Sequence, residues 1–139
     1  MIHLMPDTVT AVRAYLLTVL TAEVGTRIYY GALPKDPTFP AVRITDISTT
    51  DASPGWSRSL LQIDVWHSDG RLRDCRALAE LVRAALIDST NYRTDAWVLG
   101  GVDNVNGATT QPFATGLDTS FTPPRPRYLV TAGLLIRPN

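Results

Sequence analysis

The chain has 139 residues, 45% of them hydrophobic and 19% charged, with 13 basic and 13 acidic side chains in formal balance. That length suits one domain with a core of its own, and the composition excludes a disordered chain. A net charge of 0 gives no bulk attraction toward nucleic acid or an acidic membrane, so only a local patch would serve that purpose.

A single cysteine, Cys75, excludes an intramolecular disulfide and a cysteine-rich zinc site. The opening segment lacks a positive n-region and carries Asp7, Arg13 and Glu23, which argues against a signal peptide or a membrane span. A cytoplasmic place of synthesis is expected.

Asp7 or Thr8 reads as an N-cap, after which Val9, Val12, Leu16, Val19 and Leu20 recur at helical spacing up to a stop at Gly25. Tyr15 and Leu17 widen the stripe, as in a helix covered on more than one side. A short strand at residues 28–30 leads into a connection punctuated by Pro34, Pro37 and Pro40, which is neither helix nor continuous sheet. Residues 41–47 resume as a strand, and residues 48–57 carry turn chemistry.

The clearest strand follows, with Leu61, Ile63 and Val65 on one side and Gln62, Asp64 and Trp66 on the other. Ser68 or Asp69 is the expected cap of a second helix, whose stripe is Leu72, Cys75, Leu78, Ala79, Val82, Ala85 and Leu86. A strand is expected at residues 97–102, with Gly100 and Gly101 marking a bulge or a close backbone approach. Residues 103–127, rich in Asn, Gly, Thr and Pro, read as a long polar loop or arm before a last strand at residues 128–137. The order predicts an α+β single domain over residues 1–139, a mainly antiparallel β-sheet packed against two α-helices.

Phosphate loops, paired metal-binding histidines and a nucleophile elbow are all missing from the sequence. His3 and His67 have no metal-ligand spacing, and Cys75 on the apolar stripe is a core residue rather than a nucleophile. Asp46 and Asp64 would share a sheet face if their strands paired, although an arginine-paired or solvated Asp is the expected state. Arg71, Arg73, Arg76 and Arg83 on the second helix are diluted by Asp74 and Glu80, and read as a solvated face.

Other features ask for a partner. Trp56 lies in a turn-rich stretch, Trp66 on the polar side of its strand, and Phe113 and Phe121 in the arm. Large aromatics outside the core pattern are enriched at protein interfaces. Leu33, Pro34, Pro37 and Phe39 join them as interface candidates, because a proline-stiffened connection loses little entropy on docking.

The order of "RIYYGALPKDPTFPAVRI" and "LLQIDVWHSDGRLRDCRALAELVRAAL" resembles the tail-terminator, or tail-completion, proteins of long-tailed phages. The matching motifs are Arg27-Ile28, Leu33-Pro34, Pro40-Ala41-Val42, the strand from Gln62 to Trp66, and the helix end from Val82 to Leu86. The arm at residues 103–127 is longer and more polar than that pattern.

The resemblance implies a non-enzymatic virion protein at the head-proximal end of the tail, assembled in the host cytoplasm. It implies a homo-oligomeric ring, usually a hexamer, that caps the tail tube, stops its polymerisation and offers the head-attachment surface. The implied partners are other copies, the tail-tube protein, a head–tail connector or stopper protein, and genome DNA passing through the lumen without sequence-specific binding. No cofactor, metal or membrane is implied. Two alternatives stand beside it: another neck component, or a small enzyme or ligand-binding domain with Asp46, Asp64 and His67 in a cleft.

Overall fold

The computed structural model describes residues 7–53, 55–102 and 112–139, without the side chains of Ser53 and Phe113. The first helix, α1 (Thr8–Val19), starts where the sequence places it, with the Asp7 carboxylate accepting the Val9 N–H at 3.1 Å. That bond satisfies one of the orphan donors of the first turn. Val9, Val12, Tyr15 and Leu16 face inward. The helix breaks at Leu20, and a further turn, α2 (Thr21–Val24), ends at Gly25 with φ of +58°. Val19, expected in the buried stripe, is 45% exposed, whereas Leu20 at the break and Val24 beyond it carry the stripe on into the core.

Strands β1 (Ile28–Tyr30), β2 (Ala41–Ser53) and β3 (Trp56–Trp66) precede helix α3 (Leu72–Ile87). Strands β4 (Trp97–Val102), β5 (Phe113–Asp118) and β6 (Arg125–Pro138) follow it. All six strands form one sheet in the order β1-β2-β3-β6-β4, with β5 also pairing β6. Only β1–β2 is parallel. The α+β, mainly antiparallel architecture is therefore the one expected.

Strand β6 organises the sheet. It pairs β3 along one edge from Arg127 to Ile136, while its other edge takes β5 near Arg125–Leu129 and β4 near Leu134–Pro138. Alternation puts Leu61, Ile63 and Val65 of β3 with Val130, Ala132, Leu134 and Ile136 of β6 on one face. There they meet Val12 and Leu16 of α1 and Leu78, Val82 and Leu86 of α3 in one core. The Tyr15 hydroxyl donates to the Ala85 carbonyl at 2.6 Å, tying the two long helices together.

The structure corrects several further readings. Residues 48–57 are mostly strand rather than turn: β2 runs on to Ser53 and β3 begins at Trp56, so the turn is confined to the short step between them, with Gly55 in it. A register shift between Asp46 and Ser48 breaks the alternation, and the exposed Ile47, Thr49 and Thr50 beyond it carry no apolar period. The arm contains β5, and β6 begins at Arg125 rather than Tyr128. Helix α3 has Arg71 at its N-cap position, without a side-chain cap, and its first residue Leu72 is 51% exposed.

The paired glycines do mark a bulge, between Leu99 and Gly101 in the β4–β6 register. A Cβ on Gly100 would lie 2.6 Å from the Trp56 ring, and one on Gly101 would lie 2.1 Å from the Thr90 hydroxyl oxygen. Among the described residues no helix is long and apolar enough to cross a membrane. His3 and residues 103–111 of the arm lie outside the described residues.

Candidate functional site

Both long helices lie on one face of the sheet, so the side chains of β2, β3 and β6 that point the other way form a helix-free face. Its residues are fixed by register: Arg43 opposite Asp64, Asp64 opposite Leu129, and Trp66 opposite Arg127. Asp64 has a fully buried carboxylate. Its Oδ1 accepts Arg127 Nε at 3.1 Å and Nη2 at 2.6 Å, and its Oδ2 accepts Arg43 Nη2 at 2.9 Å and Gln62 Nε2 at 3.3 Å. Two cations thus offset the desolvation of one anion, and both oxygens are occupied.

The same arginines cover Trp66, with guanidinium carbons 5.0 and 5.1 Å from its ring centroid. Trp66 lies on the polar side of β3, where the alternation puts it, and is only 2% exposed because the two arginines close over its ring. Its indole N–H donates to Asp118 Oδ2 at 2.8 Å, joining the end of β3 to the end of β5. Asp118 Oδ1 accepts the Ser120 N–H and hydroxyl at 3.0 and 2.6 Å. Burial alone would raise the Asp118 carboxyl, but the bonds from Ser120 and Trp66 and the charge of Arg127 outweigh it and hold the group below its ordinary value.

That chain of contacts ends in a groove of about 600 Å³ between the β1–β2 connection and the β5–β6 turn. Phe39 meets Phe121 edge to face at 5.1 Å between centroids, and the Arg125 guanidinium lies 5.0 Å from the Phe39 centroid. Pro34 and Pro37 line the same groove, so four of the interface candidates converge there. Leu33 is half-buried in the same connection. Trp56 lies apart, at the far end of the face, half-buried on Gly100 with Arg137 5.3 Å from its ring centroid. The side chain of Phe113 lies outside the described residues, while its backbone pairs with Leu129.

The cleft of the enzyme alternative is not assembled. Asp46 pairs in register with the core residue Leu61, on the sheet face opposite Asp64, and accepts from the Thr49 hydroxyl at 2.8 Å. His67 lines a separate hollow of about 230 Å³ with Glu23, Asp74 and Leu81. Burial lowers its imidazole below the ordinary value, against the charge of Asp74 and with that of Arg71. Cys75 is wholly buried, and its thiol is pushed up to about 12 by desolvation, against a backbone hydrogen bond from Tyr128. Among the described residues no group of three metal-ligating side chains converges.

An arginine-paired Asp64 is expected from the sequence, but Arg43 and Arg127 are identified as its partners only by the strand register. The available signal was the alternation Gln62, Asp64, Trp66 beside Arg43-Ile44-Thr45 and Arg125-Pro126-Arg127, which aligns cations with the acid once the strands are paired.

A family model described as "Tail completion protein gp17" matches residues 10–115. The match takes in Phe39, Arg43, Asp64 and Trp66, and stops before Asp118, Phe121, Arg125 and Arg127. No curated protein matches the chain. Among solved structures, a chain of the "Virion of native gene transfer agent (GTA) particle" superposes with a TM-score of 0.58 at 18% identity, covering 94% of this chain and 92% of that one. At that identity the likeness is one of fold.

Proposed function

The chain belongs to the tail completion protein gp17 family and is a structural protein of the virion tail, and from this premise we propose that it is a tail terminator. Copies assemble into a ring of about six subunits, the closed heterologous arrangement that a cap on a tube requires. The ring sits on the head-proximal end of the tube, stops its growth and presents the attachment surface for the head connector or stopper protein. Genome DNA passes through its lumen without sequence reading. The family match over residues 10–115 carries this reading.

The site geometry supports an assembly role over a chemical one. Asp64 accepts bonds on both oxygens and has no free lone pair aimed at a substrate. Asp46 lies on the other sheet face, and the Cys75 thiol is protonated at neutral pH. What the network does instead is hold the groove of Phe39 and Phe121 in shape, so that Pro34, Pro37 and their neighbours meet a partner already ordered. This groove and the arm at residues 103–127 are proposed as contacts to neighbouring subunits or to the tube.

The test is electron microscopy of lysates from a phage with a stop codon early in this reading frame. Abnormally long tails without heads are expected, since loss of the cap leaves the tube free to grow. Normal-length tails beside unattached heads would move the chain to another neck position, and normal infectious particles would overturn the tail role.

A further inference from the structure

The edge of a sheet is a row of unpaired N–H and C=O groups, and a strand of another chain pairs with it unless it is short, covered or guarded by Lys or Pro. Part of this sheet's edge is managed in that way. Strand β1 has three residues and leads into the proline-bearing connection. Strand β4 is covered from outside: Asn91 donates its N–H to the Leu99 carbonyl and Leu99 its own to the Tyr92 carbonyl, each at 2.8 Å.

Two stretches are not covered. Strand β2 runs on from Thr45 to Ser53 past the last residue that β1 pairs, and β5 pairs β6 on one side only. Among the described residues no backbone bond or bridge reaches the outer side of either. Neither stretch holds a lysine, arginine or proline. Each instead presents a large aliphatic side chain, Ile47 at 51% and Leu117 at 61% exposure. Bulges kink both, yet β2 keeps regular register from Ser48 to Asp51.

The register also gives the outward groups and their direction. The Val42 N–H donates to the Arg27 carbonyl and the Ile44 carbonyl accepts the Gly31 N–H, so even-numbered residues point away from β3 before the bulge. The shift at Ile47 inverts the count, and Thr49 and Asp51 then present N–H and C=O outward. The β2–β3, β3–β6 and β6–β5 pairs are all antiparallel, so β5 runs opposite to β2. Copies standing side by side in one sense therefore bring β5 of one antiparallel to β2 of the next, the more stable pairing. The two edges lie on opposite sides of one sheet, as a heterologous contact requires. A closed ring uses both edges of every copy, whereas a two-fold pair of β2 edges leaves β5 open.

We infer that the outer edge of β2 pairs with β5 of a second copy, so that the sheets of successive subunits join around the ring. The free part of β2 lies level with residues 133–136 of β6, and β5 with residues 125–129. That stagger inclines the strands to the ring axis, as in closed barrels. The inference rests on the ring reading and names the main-chain contact that closes it.

The experiment is sedimentation velocity of the full-length chain over a concentration series, with hydrogen–deuterium exchange on the assembled fraction. Exchange at residues 45–53 and 113–118 should slow on assembly. Asp51→Pro removes an outward N–H that its own chain does not use, so it should stay folded by circular dichroism. It should need at least about tenfold more protein to assemble. Asp51→Asn keeps the N–H and should assemble as the wild type does. Leu117→Lys guards the opposite edge and should weaken assembly as well.

A folded Asp51→Pro chain that assembles at the wild-type concentration would overturn the pairing. So would unslowed exchange at residues 45–53, or a wild-type chain that stays monomeric throughout the series. Dimers that persist in Leu117→Lys would also overturn it and pair β2 with β2 about a two-fold axis. None of these outcomes decides the terminator role, which is read separately from tail length in the stop-codon phage.

Discussion

At the residue scale, the unusual group is a carboxylate with no exposed surface, on a face that no helix covers. Asp64 is tolerable there because Arg43 and Arg127 supply charge-assisted bonds to both oxygens. The two arginines are not equivalent. Arg127 donates twice to Oδ1, whereas Arg43 donates once to Oδ2. Arg127→Ala is expected to cost about 3 kcal/mol in denaturant unfolding. Arg43→Ala should cost about 1.5 kcal/mol. Equal losses would mean that packing on Trp66, which both arginines share, dominates over the ion pairs.

Asp118 adds a pH dependence at the same site. Its carboxyl is held below its ordinary value of 3.8 in the folded chain, so the stabilisation is complete above that value and is lost as pH falls through it toward the depressed one. His67 acts earlier and in the same direction. Its neutral ring is favoured by folding, so stability begins to fall as pH drops through the ordinary 6.5. Thermal melts at stepped pH should show both losses. Asp118→Asn should remove the lower one and leave the upper one intact.

At the element scale, β4 shows how a local rule becomes a tertiary constraint. Gly101 has φ of +84° and its missing Cβ is occupied by the Thr90 side chain. Gly101→Ala therefore combines backbone strain with a clash and is expected to cost about 2 kcal/mol, read as a lower urea midpoint. Thr90→Ala should recover part of that loss, because it removes the atom that the new methyl meets. A double variant no more stable than Gly101→Ala alone would assign the whole cost to φ.

This bulge was legible in sequence because two adjacent glycines in an apolar run have few other uses. The helices and β3 were legible for a similar reason: each buries one face, so its apolar period survives in the sequence. The second half of β2 was not, since its residues from Ile47 to Asp51 are exposed and its register slips at the bulge. Strand β5 was hidden in the same way: Ala114, Thr115, Gly116 and Leu117 are all exposed, and only pairing to β6 makes them a strand.

The candidate site was half legible. Proline and phenylalanine marked both walls of the groove, but nothing in the spacing joined Phe39 to Phe121, eighty-two positions away in the chain. The face of Trp66 was legible from the alternation with Gln62 and Asp64, but its burial was not. A polar face reads as solvated until cross-strand cations are seen to close over it.

At the scale of the whole molecule, one core links α1, α3 and the central strands, so global unfolding should be a single event. The sheet end that carries the groove is attached differently. It depends on the Trp66–Asp118 bond, the Phe39–Phe121 contact and the short pairing of β5, all outside that core. Elements with few buried apolar contacts open at lower free energy than the core. Far-UV circular dichroism and tryptophan fluorescence should therefore give coincident urea transitions at neutral pH, where Asp118 is ionised. Below its ordinary value of 3.8 the fluorescence should change first, as the indole loses its acceptor. Trp66→Phe isolates the cause, because Trp56 and Trp97 remain to report and neither bonds to Asp118. If the early fluorescence change persists in that variant, the acid-sensitive opening lies elsewhere in the sheet. If it vanishes, the groove is a separately opening unit, and a particle would hold it shut only where a partner is bound.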